Sequence, residues 1–151
     1  HRDLHSFPTR RSSDLIMEQR NIHLLKKYAQ MEENEVRFES IQCEDAEYIL
    51  VAFGSSARIC QKAVEIFRAQ GIKVGLLRPI TLFPFPKKQL KDLSKRVKGM
   101  LVVEMNAGQM IEDVKLAVDC KIPVEHFGRM GGIIPSPDEV VKALENKIIG
   151  K

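Results

Sequence analysis

YILVAF at 48–53 carries six residues in a row with no charge and no break, and its reading decides the fold. A short continuous apolar run of this kind is the signature of a strand buried on both faces. Gly54-Ser55-Ser56 follows and opens SARICQKAVEIFRAQ, in which Ile59, Cys60, Ala63, Val64 and Phe67 share one helical face. A serine is expected to cap this helix and Gly71 to stop it. The same strand-then-helix unit recurs three times. VGLLRPI (74–80), ended by Pro79, passes through TLFPFP into KKQLKDLSKRV, with an apolar stripe of Leu90, Leu93 and Val97. MLVVEM (100–105) leads through Asn106-Ala107-Gly108 into a helix that buries Met110, Ile111, Val114, Ala117 and Val118. IPVEHF (122–127) leads through Gly128-Arg129-Met130-Gly131-Gly132 to a last helix burying Val140, Val141, Leu144 and Ile148. Ser136-Pro137-Asp138-Glu139 announces that helix with a Ser cap, Pro at the first helical position and an acid completing a capping box. Four such units in alternation predict an α/β fold: a parallel sheet with helices on both faces.

Working outward toward the N-terminus, residues 18–31 place Ile22, Leu25 and Ala29 on one helical stripe, broadened by Leu24 and Tyr28 until it needs a partner surface. Glu32 to Glu47 is acidic, with seven carboxylates against one Arg. Within it Val36 and Phe38 alternate with Arg37 and Glu39, the pattern of a short edge strand, and the remainder reads as a solvated connector. The opening HRDLHSFPTRRSSDL has no periodicity and no apolar core for a signal peptide. A basic, Ser-rich targeting peptide is its compositional alternative. Its wording resembles translated sequencing-adapter read-through, so it is set apart from the fold. The expected organisation is a non-native tail at 1–15, a helix and acidic connector at 16–47, and an α/β domain at 48–151. The native protein is then expected to continue upstream, this chain being its C-terminal piece.

Composition narrows the function classes. With 151 residues, 44% hydrophobic and 29% charged, the chain is ordinary for a globular domain. A net charge of +4 from 24 basic and 20 acidic residues is too balanced for a dedicated nucleic-acid binder. No apolar run is long enough for a membrane span. Cys43, Cys60 and Cys120 sit far apart without C-x-x-C spacing, which argues for reduced thiols and against a disulfide framework, a zinc site or an iron–sulfur site.

In an open parallel sheet, ligands bind beyond the carboxyl ends of the strands. Here those ends are the loops Gly54–Ser56, Pro79–Pro86, Asn106–Gln109 and Gly128–Gly132. Neither G-x-G-x-x-G nor G-x-x-x-x-G-K-[ST] occurs, so the nucleotide fingerprints are missing. Asn106 and Gln109 put two neutral hydrogen-bonding side chains at a helix start beside Glu104. Either Asn106 caps the helix with Glu104 ion-paired, or the group faces another subunit. Arg78 ends a buried strand and must be paired or solvated, by a structural salt bridge or by substrate. Arg129 stands among three glycines, in a loop that either approaches another chain closely or is simply flexible. His126 has no nucleophile or carboxylate at a triad-like spacing and reads as a packed core or interface residue. The lysine-rich helix 87–98 is a solvated face or a dock for an acidic partner. No nucleophile–base pair and no metal cluster can be assembled by spacing.

Taken together, EDAEYILVAFGSSARI, GIKVGLLRPITLFPFP, LVVEMNAGQMIEDVKLAV and FGRMGG with IPSPDEV resemble the C-terminal domain of the alpha subunit of 2-oxoacid:ferredoxin oxidoreductases. The resemblance spans Asn21 to Ile148 and is strongest to the branched-chain, 3-methyl-2-oxobutanoate type. It implies a transketolase-C-terminal-like three-layer sandwich with a mostly parallel sheet and one antiparallel edge strand, for which Val36–Ile41 is the candidate. It implies oxidative decarboxylation of a 2-oxoacid to an acyl-CoA, in a cytoplasmic enzyme of anaerobic metabolism. Thiamine diphosphate, magnesium, iron–sulfur clusters and CoA would serve the whole enzyme, none of them bound by this piece alone. The implied partners are beta (diphosphate-binding), gamma and ferredoxin-like subunits, with ferredoxin as electron acceptor and neither nucleic acid nor membrane. No catalytic, cofactor-binding or metal residue carries over. Arg78, Asn106, Gly108, Gln109 and Arg129 are the candidate interface or channel-lining residues. The alternatives are a related thiamine enzyme (a 2-oxoacid dehydrogenase E1 beta chain or a transketolase) and a freestanding flavodoxin-like binding module.

Overall fold

The computed structural model describes residues 14–150. They fall into two units that divide between Glu35 and Val36. Of the tail set apart at 1–15, only Asp14 and Leu15 are among the described residues, at the start of a helix. That helix, α1 (Asp14–Asn34), makes up the described part of the first unit. It extends past both ends of the 18–31 stretch, since no Gly or Pro interrupts it. Ile22, Leu25 and Tyr28, from the stripe expected to be covered, are exposed.

The second unit carries β1 (Phe38–Ile41), β2 (Tyr48–Ala52), α2 (Gly54–Ala69), β3 (Val74–Pro79), α3 (Lys87–Ser94), β4 (Gly99–Glu104), α4 (Met110–Ala117), β5 (Val124–Gly128) and α5 (Pro137–Leu144), then a π-helical turn at Glu145–Ile149. The strand order is β1-β3-β2-β4-β5. Four strands are parallel, with Leu50 of β2 set against Leu76 of β3 and Leu101 of β4. β1 is the antiparallel edge, running Phe38↔Pro79 to Ile41↔Leu76. This is the three-layer sandwich that the alternation of units predicts, with the edge strand where the Val36–Phe38 alternation placed it.

Buried strands feed both layers because successive side chains alternate. Ile49, Val51, Leu77, Met100 and Val102 meet Leu90, Leu93, Ile111 and Val114 of α3 and α4. Leu50, Ala52, Leu76, Leu101 and Val103 meet Cys60, Val64, Phe67, Val140 and Leu144 of α2 and α5. The first connection leaves β2 for β3, and the next carries the chain back to β4 on β2's other side. That reversal makes the crevice between β2 and β4 the topological switch point.

One expectation is corrected. No serine caps α2: the helix begins at Gly54 after Phe53, without a side-chain cap, and Ser56 is buried. The α/β unit opens at Val36, ahead of Tyr48, and the acidic connector is tied down within it. Arg68 of α2 donates to the Asp45 carboxylate at 2.8 and 2.9 Å, to the Gln42 carbonyl at 2.7 Å and to the Val74 carbonyl at 2.9 Å. The guanidinium's hydrogen bond holds the Asp45 carboxyl below the usual carboxylate range. At α5 the expected capping box is present, Ser136 and Glu139 each accepting the other's backbone N–H.

The connector packs so closely on β3 that Gly75 has no room for a side chain. A Cβ there would lie 2.7 Å from the Gln42 carbonyl oxygen and 3.0 Å from the Cys43 Cα, both backbone atoms. Gly75→Ala is therefore expected to destabilise the unit by about 1–3 kcal/mol, read as a lower urea midpoint with an unchanged slope.

Candidate functional site

The carboxyl end of β4 delivers Glu104, a carboxylate buried to 1% exposure, at the mouth of the switch-point crevice. Its strand position follows from VVE continuing the apolar alternation, so Glu104 falls on the same face as Met100 and Val102, against α4. The first amides of α4 point at it. Glu104 Oε1 accepts from the Met110 N–H at 2.8 Å, Oε2 from the Ile111 N–H at 3.2 Å, and both from the Gln109 N–H at 3.2 Å. A helix start leaves its first amides without intrahelical partners, and here a strand-end carboxylate takes them. Asn106 completes the arrangement. Its Nδ2 donates to Glu104 Oε1 at 3.2 Å while its Oδ1 accepts the Gly108 N–H at 2.7 Å, closing a turn in which Gly108 has φ +110°.

One of the two readings of this group from the sequence, beside that of a face turned to another subunit, had Asn106 as the helix cap and Glu104 as one half of an ion pair. The geometry corrects both roles: Glu104 is the cap, and Asn106 steadies it. It also brings in His126. In the β4–β5 register Glu104 sits opposite Gly128 and Val102 opposite His126, so the imidazole is the diagonal neighbour of the carboxylate. His126 Nε2 is buried without a hydrogen-bond partner, 3.7 Å from Glu104 Oε2. This proximity was invisible because triad-like spacing along the chain says nothing about adjacent parallel strands. Gly128 has a physical reason of its own: a Cβ would stand 2.2 Å from the Asn106 carbonyl oxygen and 2.6 Å from the His126 ring. Gly128 thus approaches its own chain closely, while Gly131 and Gly132 stand in open space.

The other candidate residues lie apart. Arg78 Nη1 pairs with Glu39 of β1 at 2.8 Å, the structural salt bridge among its two readings. Arg129 pairs with Glu139. Glu139's carboxyl is held below the usual range, first by the Ser136 N–H and then by Arg129. The helix expected over 87–98 ends at Ser94, and the lysines of that stretch are partly engaged: Lys91 with Asp119, Lys95 with Asp92 and Lys98 with Glu47. Gln109 belongs to a pocket of about 220 Å³ with Phe53, Leu82, Glu104, Met110 and Asp113. Phe53 and Leu82, just past the ends of β2 and β3, and Asp113 of α4 are lining residues that sequence reasoning did not single out, although Leu82 falls in the Pro79–Pro86 loop it named. For Phe53 and Leu82 the signal was their position just past two strand ends.

Among the described residues no group of three or more His, Cys, Asp or Glu is placed to hold a metal ion, and no helix is long and apolar enough to cross a membrane. The three cysteines are free thiols, Cys43 and Cys60 buried and Cys120 exposed. Cys43 donates to the Leu76 carbonyl at 3.3 Å. Burial pushes its thiol up to about 11 and raises that of Cys60 as well.

Residues 46–140 match the family described as pyruvate:ferredoxin oxidoreductase core domain II. The chain belongs to that family. The chain is 53% identical, over 116 residues, to the ketoisovalerate oxidoreductase subunit VorB of Methanothermobacter marburgensis, covering 77% of this chain and 33% of that one. It is 33% identical, over 107 residues, to the 2-oxoglutarate synthase subunit KorA of the same organism, covering 71% and 28%. The chain therefore spans about a third of the length of the curated relatives it matches. Among solved structures, the 2-oxoglutarate:ferredoxin oxidoreductase of Magnetococcus marinus, determined with 2-oxoglutarate, coenzyme A and succinyl-CoA bound, superposes with a TM-score of 0.78 at 20% identity, covering 89% of this chain and 24% of that one. A split-gene transketolase, an inactive beta4 tetramer, superposes with a TM-score of 0.63 at 17% identity, covering 75% and 41%. These two carry the fold alone, and it is the transketolase-C-terminal-like one.

Two outcomes follow from this geometry. Glu104→Gln offers the α4 amides one accepting oxygen and turns an NH₂ toward other donors, so a loss of about 1.5–3 kcal/mol is expected in urea unfolding, with faster hydrogen exchange at Gln109–Ile111. For the thiols, iodoacetamide at pH 8 is expected to modify Cys120 in the folded chain and all three cysteines only in denaturant. A folded-state thiol raised from 9.0 to about 11 keeps its proton where the unfolded chain has lost it. Stability is therefore held below pH 9 and falls as the pH climbs toward 11, by about 1.4 kcal/mol per pH unit for each such thiol. Cys43→Ala should flatten that alkaline slope.

Proposed function

We propose that this chain is the C-terminal structural and subunit-interface domain of the alpha subunit of a thiamine-diphosphate-dependent 2-oxoacid:ferredoxin oxidoreductase of the branched-chain type. The whole enzyme would convert 3-methyl-2-oxobutanoate and CoA to an acyl-CoA and carbon dioxide, passing electrons to ferredoxin in the cytoplasm. Its partners would be the beta, gamma and ferredoxin-like subunits. The observation that carries the substrate class is the gap between 53% identity to a ketoisovalerate subunit and 33% to a 2-oxoglutarate subunit within one organism.

The geometry supports a supporting role for this domain. Thiamine diphosphate supplies the carbanion-stabilising chemistry of such a reaction and needs a cradle for its phosphates and their metal. The residues here do not fit that group. The α4 amides that would suit a phosphate are already taken by Glu104, whose carboxylate would repel it. The carboxylates and thiols that would hold magnesium or an iron–sulfur cluster are dispersed among the described residues. What the domain's residues do is hold shape: Glu104 and Asn106 set the crevice wall, and the Arg78 and Arg129 pairs steady the strand ends beside it. Gln109 and the pocket it lines are left as the surface offered to a channel or a neighbouring subunit.

The test is the full-length subunit assembled with its partners. Its kcat/KM for 3-methyl-2-oxobutanoate is expected to exceed that for pyruvate and for 2-oxoglutarate by at least about tenfold, and the reverse order would remove the branched-chain assignment. The 151-residue chain is expected to show no heat of thiamine diphosphate binding by calorimetry, with micromolar binding refuting the division of roles.

A further inference from the structure

The α/β unit has a single histidine. His1, His5 and His23 all precede the division at Glu35, so His126 is the one imidazole between Val36 and Lys151. Histidine is the side chain that changes charge near neutral pH. The ring of His126 is 24% exposed, which leaves solvent protons a route to it. Its Nε2 nonetheless faces inward, buried and without a hydrogen-bond partner, 3.7 Å from Glu104 Oε2. The backbone gives the ring little room to turn away. A Cβ on Gly128 would stand 2.6 Å from it and one on Gly108 3.6 Å. Lys147 holds the strand from outside, donating to the His126 carbonyl at 2.6 Å, and the β4 ladder holds it from inside.

Glu104 lacks what a charged imidazole would supply. Its hydrogen-bond donors are all neutral amides, those of Gln109, Met110, Ile111 and the Asn106 side chain. Amide dipoles stabilise a buried carboxylate without cancelling its charge, and a cation at this range in a dry setting acts strongly on it. The other charged groups around the ring are engaged or turned outward. Glu104 is the one charged residue of β4, and residues 105–109 carry no charge. On α4, Glu112 and Asp113 are exposed and Lys115 is half-buried. On β5 itself, Glu125 alternates to the opposite face of the sheet, and Arg129 beyond it pairs with Glu139. From the π-helical turn, Lys147 is spent on a carbonyl and Glu145 stands two residues before it.

We propose that His126 is a proton-operated latch at the carboxyl end of the sheet. On taking a second ring proton from solvent, the imidazolium donates its Nε2–H to Glu104 Oε2. That joins β5 to the carboxylate that already gathers the start of α4. The neutral ring leaves the joint unmade. The crevice wall formed by residues 104–111 and 126–129 is therefore firmer on the acidic side of neutrality and loosens as the pH rises. This device depends on the domain's own geometry and stands whichever reaction the whole protein serves.

Amide exchange of the 151-residue chain, corrected for intrinsic rates and followed between about pH 8 and pH 5, tests the latch. Met110, Ile111 and Arg129, whose N–H groups donate to the side chain or carbonyl of Glu104, are the reporters. Their protection is expected to rise at least about threefold as the pH falls. The midpoint of that rise should coincide with proton uptake by His126, read from its imidazole ¹⁵N resonances. His126→Gln keeps a neutral donor in place of Nε2 and should abolish the rise, whereas His23→Gln on α1 should leave it intact. Glu104→Gln should abolish it as well. Where that variant does not fold, His126→Gln and the wild-type resonances decide. Protection that is flat with pH, a rise that survives His126→Gln, or a midpoint apart from that of the ring would each overturn the proposal.

Discussion

A single buried carboxylate sets the geometry on which the rest of the carboxyl end of this sheet depends. Glu104 ends the interior strand β4 and gathers the amides of Gln109, Met110 and Ile111 where α4 begins. Desolvating a carboxylate is costly, and it is tolerated here because several donors converge on its two oxygens. The consequence runs in both directions. The strand end is locked to the helix start, and the helix start is closed to any other anion. Asn106, Gly108 and Gly128 take their particular forms around that knot: Asn106 donates into it, Gly108 turns beside it, and Gly128 leaves room for the Asn106 carbonyl.

The same knot explains why a domain with an ideal ligand-binding topology reads as a supporting piece. Open α/β sheets bind ligands at the switch point, and this one has a crevice there. What normally makes such a crevice a phosphate site is a helix N-terminus with unused amides. Here those amides are consumed internally, and the crevice is left lined by Phe53, Leu82 and Met110 beside Glu104, Gln109 and Asp113. Fold likeness to transketolase and to a ferredoxin oxidoreductase therefore carries architecture alone.

Away from that end, stability is shared between two apolar layers and a tied-down edge. The alternation of Ile49 and Val51 with Leu50 and Ala52 feeds one layer on each face. β1 closes the β3 edge antiparallel, which reduces the exposed ladder that would otherwise invite another strand. Arg68 then fastens the connector between β1 and β2 to α2 and β3, turning an acidic stretch that reads as solvated into part of the fold.

The strands, their parallel arrangement, the helix faces and the Ser136 capping box were all determined by local sequence. Apolar runs and 3.6-residue stripes act over a few residues, and burial merely ratifies them: Leu90, Leu93, Val114 and Leu144 are buried as their spacing requires. Tertiary structure alone decided the cap of α4, the nearness of His126 to Glu104 and the role of Gly75. Each of these depends on which strands lie side by side and in what register. Register is settled by packing between segments distant in the chain, so a carboxylate and an imidazole on neighbouring strands meet without any spacing that announces it.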